Sequence, residues 1–200
     1  MKKVLAALMI FAAAASAQAN TDGYVMLSVF YPGQIPIATT SLDGMRMNII
    51  YGECQNINGF DIGISGRVRE RMNGLQIAGA NLIGTDANGA QLALVNYIES
   101  DFAGCQVGVW NCIGGEGKGF QLGVYNDVAK FSGFQMGIVN WAHAFNGFQL
   151  GLVNYASKLK DETRGNFVQV GLVNINGTAV NAENGEREAK YVLPFVNWNW

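Results

Sequence analysis

An eight-residue unit recurs through this chain. It reads GLQIAGAN from Gly74, GAQLALVN from Gly89, GCQVGVWN from Gly104, GFQLGVYN from Gly119, GFQMGIVN from Gly133 and GFQLGLVN from Gly147, with FVQVGLVN from Phe167. The shared pattern is G-h-Q-h-G-h-h-N, where h is mostly apolar. Gln76, Gln91, Gln106, Gln121, Gln135, Gln149 and Gln169 hold its third slot; Asn81, Asn96, Asn111, Asn126, Asn140, Asn154 and Asn174 hold its eighth. The opening glycines at 59, 74, 89, 104, 119, 133 and 147 advance by 15, 15, 15, 15, 14 and 14 residues. Two divergent copies come first, GMRMNIIY from Gly44 and GFDIGISG from Gly59, the latter with Asp61 in the glutamine slot. A short fixed period of this kind marks a repeat architecture, in which stacked neighbours complete a core that one unit cannot.

Within the unit the alternation has period two: slots 2, 4 and 6 carry Phe, Leu, Ile, Met or Val, against Gly, Gln and Gly at 1, 3 and 5. That is the signature of a strand. A helix would mix glycine with apolar residues on one side, and two glycines per unit would cost it about 2 kcal/mol. Two stackings compete. Parallel, in-register coils about 4.8 Å apart align like residues into amide ladders and give a β-solenoid. An antiparallel meander closes instead into an outer-membrane barrel of roughly ten strands, its glutamines lining a lumen. The solenoid is favoured because one strand plus one turn is the whole repeat, whereas an antiparallel array repeats every two strands. The connections are also nearly uniform, unlike the alternating short turns and long loops of a barrel.

The chain is therefore expected to be all-β, a single-domain solenoid of about nine to ten coils, near 45 Å long at 4.8 Å per coil. Slots 2, 4 and 6 are expected to point inward, joined by Ile83, Ile98, Ile113, Val128, Ala142 and Ala156 at slot ten. Phe131, Phe145 and Leu159 at slot thirteen should join them, leaving Gly-Gln-Gly as a smooth outer wall. The asparagines can tolerate the left-handed backbone that a corner needs.

The organisation follows from interruptions in the pattern. Residues 1–19 read as a secretory signal peptide: Lys2 and Lys3, an apolar run from Val4 to Ala15, and the A-x-A exit Ala17-Gln18-Ala19. Residues 20–43 form an N-terminal cap strand region, and 44–181 form the repeat domain, with a charged insertion near 158–166. Residues 182–200 form a C-terminal loop and an aromatic capping strand, whose Pro194 suits an edge. The insertion around Lys158–Arg164 and the polar excursion at Glu183–Glu188 read as solvated loops. Beyond the signal, eleven basic side chains face fifteen acidic ones, so the chain offers no basic field for nucleic acid.

Candidates for chemistry are few. His143 is the only histidine, and no nucleophile or orienting partner recurs beside it. Asp86, Glu99, Asp101 and Glu116 could stack into a weak calcium site, though the glycine-aspartate nonapeptide of calcium-binding solenoids is absent. Asp61 lacks the second carboxylate that glycosidase chemistry needs. Arg67, Arg69 and Arg71 could meet anionic groups, and Trp110, Trp141, Trp198 and Trp200 could stack on sugars or sit at a membrane interface. Cys54, Cys105 and Cys112 allow at most one disulfide within a chain; Cys105 fills an ordinary apolar slot. No catalytic residue, cofactor or metal is expected, and the Gln and Asn ladders are the site residues, as structure or as surface.

The chain resembles a family of exported bacterial surface-repeat proteins first named from Leptospira, which carry tandem G-x-Q-x-G-x-x-N units. The likeness includes Leu27-Ser28-Val29-Phe30-Tyr31-Pro32, Met47-Asn48-Ile49-Ile50-Tyr51-Gly52-Glu53, Gly59-Phe60-Asp61-Ile62-Gly63, the repeats and Pro194-Phe195-Val196-Asn197. The resemblance implies a cell-envelope or surface location and carries no catalytic residues with it. The functional expectation is a non-enzymatic exported scaffold, at the cell surface, in the outer membrane or in the periplasm. Its partner would be an unknown surface ligand or envelope component, with outer-membrane association the alternative.

Overall fold

The computed structural model describes residues 23–35, 40–157, 166–177 and 189–199. Every regular element among them is a strand, and all belong to one 13-stranded sheet. Successive coils pair in parallel and in register. Gly59 lies beside Gly74, Gly74 beside Gly89, and Gly89 beside Gly104, while Gln76, Gln91, Gln106 and Gln121 form the neighbouring column. The eighth slots stack likewise, Asn81 on Asn96 and Asn96 on Asn111. This is the β-solenoid, and the antiparallel closure of a barrel is not the arrangement adopted.

The faces are reversed from the expectation. Every third-slot glutamine and every eighth-slot asparagine of the seven regular units is fully buried, whereas Leu92, Leu94, Val109, Leu122, Val124, Met136, Ile138 and Leu152 face outward. The inward set is slots 3, 5, 8 and 10, completed by slot fourteen in the longer coils (Met72, Ala87, Phe102) and slot thirteen in the shorter ones (Phe131, Phe145). The apolar part of the core is therefore narrow. The slot-ten column Ile83, Ile98, Ile113, Val128, Ala142 and Ala156 is buried as expected and packs against the Met72–Phe167 column. Where that second column narrows to Gly117, the Phe131 ring fills the space: a Cβ on Gly117 would lie 2.6 Å from it.

Left-handed backbone falls on the first slot and not on the asparagines. Gly74, Gly89, Gly104 and Gly119 have φ of 130, 119, 142 and 122°, and among the described residues the only non-glycine with positive φ is Phe195. Each opening glycine from Gly74 to Gly147 lies inside a strand that continues through it, and the segment Trp110–Leu150 runs 41 residues without a break. A Cβ there would also stand 1.9 to 2.1 Å from the carbonyl oxygen of the coil before, for example Gly119 against Gly104. Glycine is required twice over, for its dihedral and for the close approach.

Both described ends are capped by strands. Gly23–Phe30 pairs in parallel with Ser41–Cys54, setting Met26 beside Arg46, and Gly33–Ile35 folds back antiparallel over it. Ala189–Asn199 reverses direction and closes the opposite end against Phe167–Gly177. Asn197 keeps the spacing of an eighth-slot asparagine, but the reversal seats it over Gln169, with Leu193 over Asn174. Pro194 lies on this outermost strand, where its missing N–H breaks no ladder. Residues 1–19, Leu159, the insertion at 158–164 and the excursion at 183–188 lie outside the described residues.

Candidate functional site

Two amide ladders run the length of the interior in opposite senses. Each glutamine donates through Nε2 to the coil before it: Gln91 to Gln76 Oε1 at 2.9 Å, Gln106 to Gln91 at 2.8 Å, Gln121 to Gln106 at 2.9 Å, and so on to Gln169 on Gln149 at 2.7 Å. Each asparagine donates through Nδ2 to the coil after it, from Asn81 on Asn96 Oδ1 at 2.9 Å to Asn154 on Asn174 at 2.8 Å. From Asn96 onward the same Nδ2 also donates to the slot-four carbonyl of the following coil, as Asn111 does to Leu122 O at 2.9 Å. A Cβ on Gly108, Gly123 or Gly137 would meet those amides within 2.7 to 3.1 Å. The fifth-slot glycine therefore makes room for the asparagine clamp at the corner.

The last coil closes both ladders. Asn197 Nδ2 donates to Gln169 Oε1 at 2.7 Å, and Asn174 Nδ2 donates to Leu193 O at 3.2 Å.

At the N-terminal end the glutamine ladder finishes on charge. Gln76 Nε2 donates to Asp61 Oδ2 at 2.7 Å. The same carboxylate accepts Arg46 Nε at 2.9 Å, Arg46 Nη2 at 2.5 Å and Asn48 Nδ2 at 2.8 Å. Arg46 is fully buried and spends Nη1 on Arg67 O and on Cys54 Sγ at 3.0 Å. Burial works against its charge, but the hydrogen bonds to Asp61 and the neighbouring negative groups more than offset this and raise the guanidinium pKa. Cys54 is pushed up to about 11, chiefly by burial, with Arg46 opposing and Asp61 adding. The asparagine ladder stops in the same place. Asn81 Oδ1 receives no hydrogen bond, because Gly66 occupies the slot before it and a Cβ there would lie 2.8 Å from both Arg46 Nη2 and Asp61 Oδ2.

The remaining candidates are taken up by the structure of the polar edge. Asp86 Oδ1 accepts the Asp101 N–H, and Asp101 Oδ1 accepts the Glu116 N–H at 2.7 Å. Among the described residues no cluster of three or more His, Cys, Asp or Glu side chains is placed to hold a metal. Arg69 pairs with Glu53, and Arg71 lies 3.8 Å from Asp86. His143 is exposed, and its carbonyl accepts the Ser157 hydroxyl at 2.7 Å. The three cysteines are free, and Cys105 stacks in slot two between Ala90 and Phe120. Trp110 is half exposed, while Trp141 stacks on Tyr155 with centroids 4.0 Å apart.

Sequence reasoning missed two surfaces. An exposed column, Asp43, Asn58, Asn73 and Asn88, hydrogen-bonds coil to coil beside an open groove of about 840 Å³ lined also by Glu70, Arg71, Thr85 and Asp86. Its 15-residue spacing was visible beside the main repeat. The second is the outer wall itself: no charged side chain occupies slots 1 to 8 in the seven units from Gly74 to Asn174, and that absence was the available signal. Comparison with family models, with curated proteins and with solved structures finds no match.

Proposed function

We propose that this protein is an exported cell-envelope repeat protein and serves there as a non-enzymatic scaffold, presenting one surface many times along a rigid rod. The observation that carries this reading is the interior amide system. The recurring polar side chains hydrogen-bond one another inside, where they fix register and stiffness, and what repeats outward is an apolar wall. A stiff array of identical patches gains avidity from many weak contacts at little ordering cost. Export is supported by the leader-like pattern from Lys2 to Ala19, and the resemblance to surface-repeat proteins agrees with it. The partner on this reading is an envelope component. Expression of the full chain in an export-competent bacterium, followed by mass spectrometry of its N-terminus, tests the location. Cleavage after Ala19 and recovery in the envelope fraction are expected; an uncleaved cytosolic chain would overturn the reading.

A further inference from the structure

The apolar exterior turns a corner. Slots 2 and 4 form one wall and slots 7 and 9 the other, and slot 6 makes the ridge between them, with Leu94 64% and Val124 45% exposed. Acidic and basic groups in the regular coils are confined to the polar edge and its border, where Asp127 shares slot nine with Tyr97, Trp141 and Tyr155. Aromatic side chains with a polar neighbour are what a hydrocarbon–water boundary selects.

We propose that this ridge and its two walls are seated in the acyl region of a lipid membrane, with slot nine at the boundary and the polar edge left in water. The occupant is lipid and not a second copy, for reasons of shape and area. The walls measure about 13 Å (slots 2 to 6) and about 10 Å (slots 6 to 9) across and about 38 Å along nine rungs, near 500 and 400 Å². A stable dimer needs about 800 Å² from each partner. The two walls reach that only together, and because they face different directions no flat partner covers both. A fluid apolar medium does.

Lipid contact also demands that backbone polar groups be satisfied within the protein, and the ridge meets this condition even in the coils where it is a bend and not regular strand. Gly79 N donates to Ile64 O at 2.7 Å, Leu94 N to Gly79 O at 3.0 Å, Val109 N to Leu94 O at 3.0 Å and Val124 N to Val109 O at 3.0 Å. The N–H groups just before the ridge donate to the next coil, Ala93 to Val107 O at 3.0 Å and Gly108 to Leu122 O at 2.9 Å. Amide groups at the bend of a water-exposed loop have no need of this saturation.

The inference names the envelope component of the proposed scaffold and so rests on that reading, but its test reads the walls directly. The full chain, purified from an export-competent host, is mixed with phosphatidylcholine vesicles carrying bromine on their acyl chains. The Trp110 contribution, taken as wild type minus Trp110→Phe, should be quenched by more than half. A Leu94→Lys, Val109→Lys, Val124→Lys variant should lose at least tenfold in vesicle affinity while its circular dichroism melt stays within a few degrees of wild type. An unquenched Trp110, whether the protein stays free or sediments as a dimer, would overturn the inference. Quenching with an uncleaved N-terminus would sustain it and remove the export reading instead.

Discussion

Gln76 hands its side-chain amide to the Asp61 carboxylate at 2.7 Å, and through that contact the whole glutamine ladder ends on a buried ion pair. Every glutamine amide in the column points its N–H groups toward Asp61. The carboxylate is the natural terminus for such a row, since it accepts and cannot donate. Arg46 balances its charge and, by reaching to Arg67 O, also fills the space the asparagine column leaves empty beside Gly66.

Breaking that terminus should be expensive. Asp61→Asn leaves a fully buried guanidinium without its counter-charge, and loss of about 3–5 kcal/mol is expected. Replacing both partners, Arg46→Gln with Asp61→Gln, extends the amide column through the site and should recover most of the loss. Urea titrations of Arg46→Gln, Asp61→Gln and the double read the coupling.

The opening glycines should be equally intolerant. Gly119→Ala puts a side chain at φ of 122° and a Cβ 2.1 Å from Gly104 O. Destabilisation of about 2 kcal/mol or more is expected from the dihedral alone, seen as a lowered Tm by circular dichroism.

Cys54 makes stability depend on alkaline pH. Its folded pKa is raised from 9.0 to about 11, so the neutral thiol contributes stability fully below pH 9, and that contribution is lost as pH rises through 11. The size is about 2–3 kcal/mol. Cys54→Ala should flatten the stability profile between pH 9 and 11. In native protein at pH 8, iodoacetamide should label the half-buried Cys105 and Cys112 before the fully buried Cys54.

Period, strand identity and parallel stacking were legible in the sequence because they depend only on spacing. Seven glutamines in phase can be satisfied by one another, and only parallel register aligns them. The direction of the faces was not legible from alternation, which is symmetric between inside and out. Assigning the apolar slots to the core followed the usual rule for water-soluble strands, and two facts argued against it. Slot 5 is too small to present anything outward, and eight successive slots lack charge in every regular coil. Asp61 stands out in the sequence as an irregular glutamine slot, but its partner Arg46 does not, because Met45 and Met47 make the first unit look simply degenerate. The reversal at Asn197 is hidden for a different reason: the local slot pattern is the same whichever way the last strand runs.

The measurement that bears most directly on the inside-out solenoid exchanges polarity at two adjacent residues. Gln121→Leu removes the donor to Gln106 Oε1 and the acceptor for Gln135 Nε2, both buried, and should cost about 2–6 kcal/mol. Leu122→Gln alters only the outer wall and should stay within about 1 kcal/mol of wild type. Matched urea denaturation of the two variants gives the answer. A larger loss for Gln121→Leu is the result expected; a destabilising Leu122→Gln beside a neutral Gln121→Leu would contradict the account.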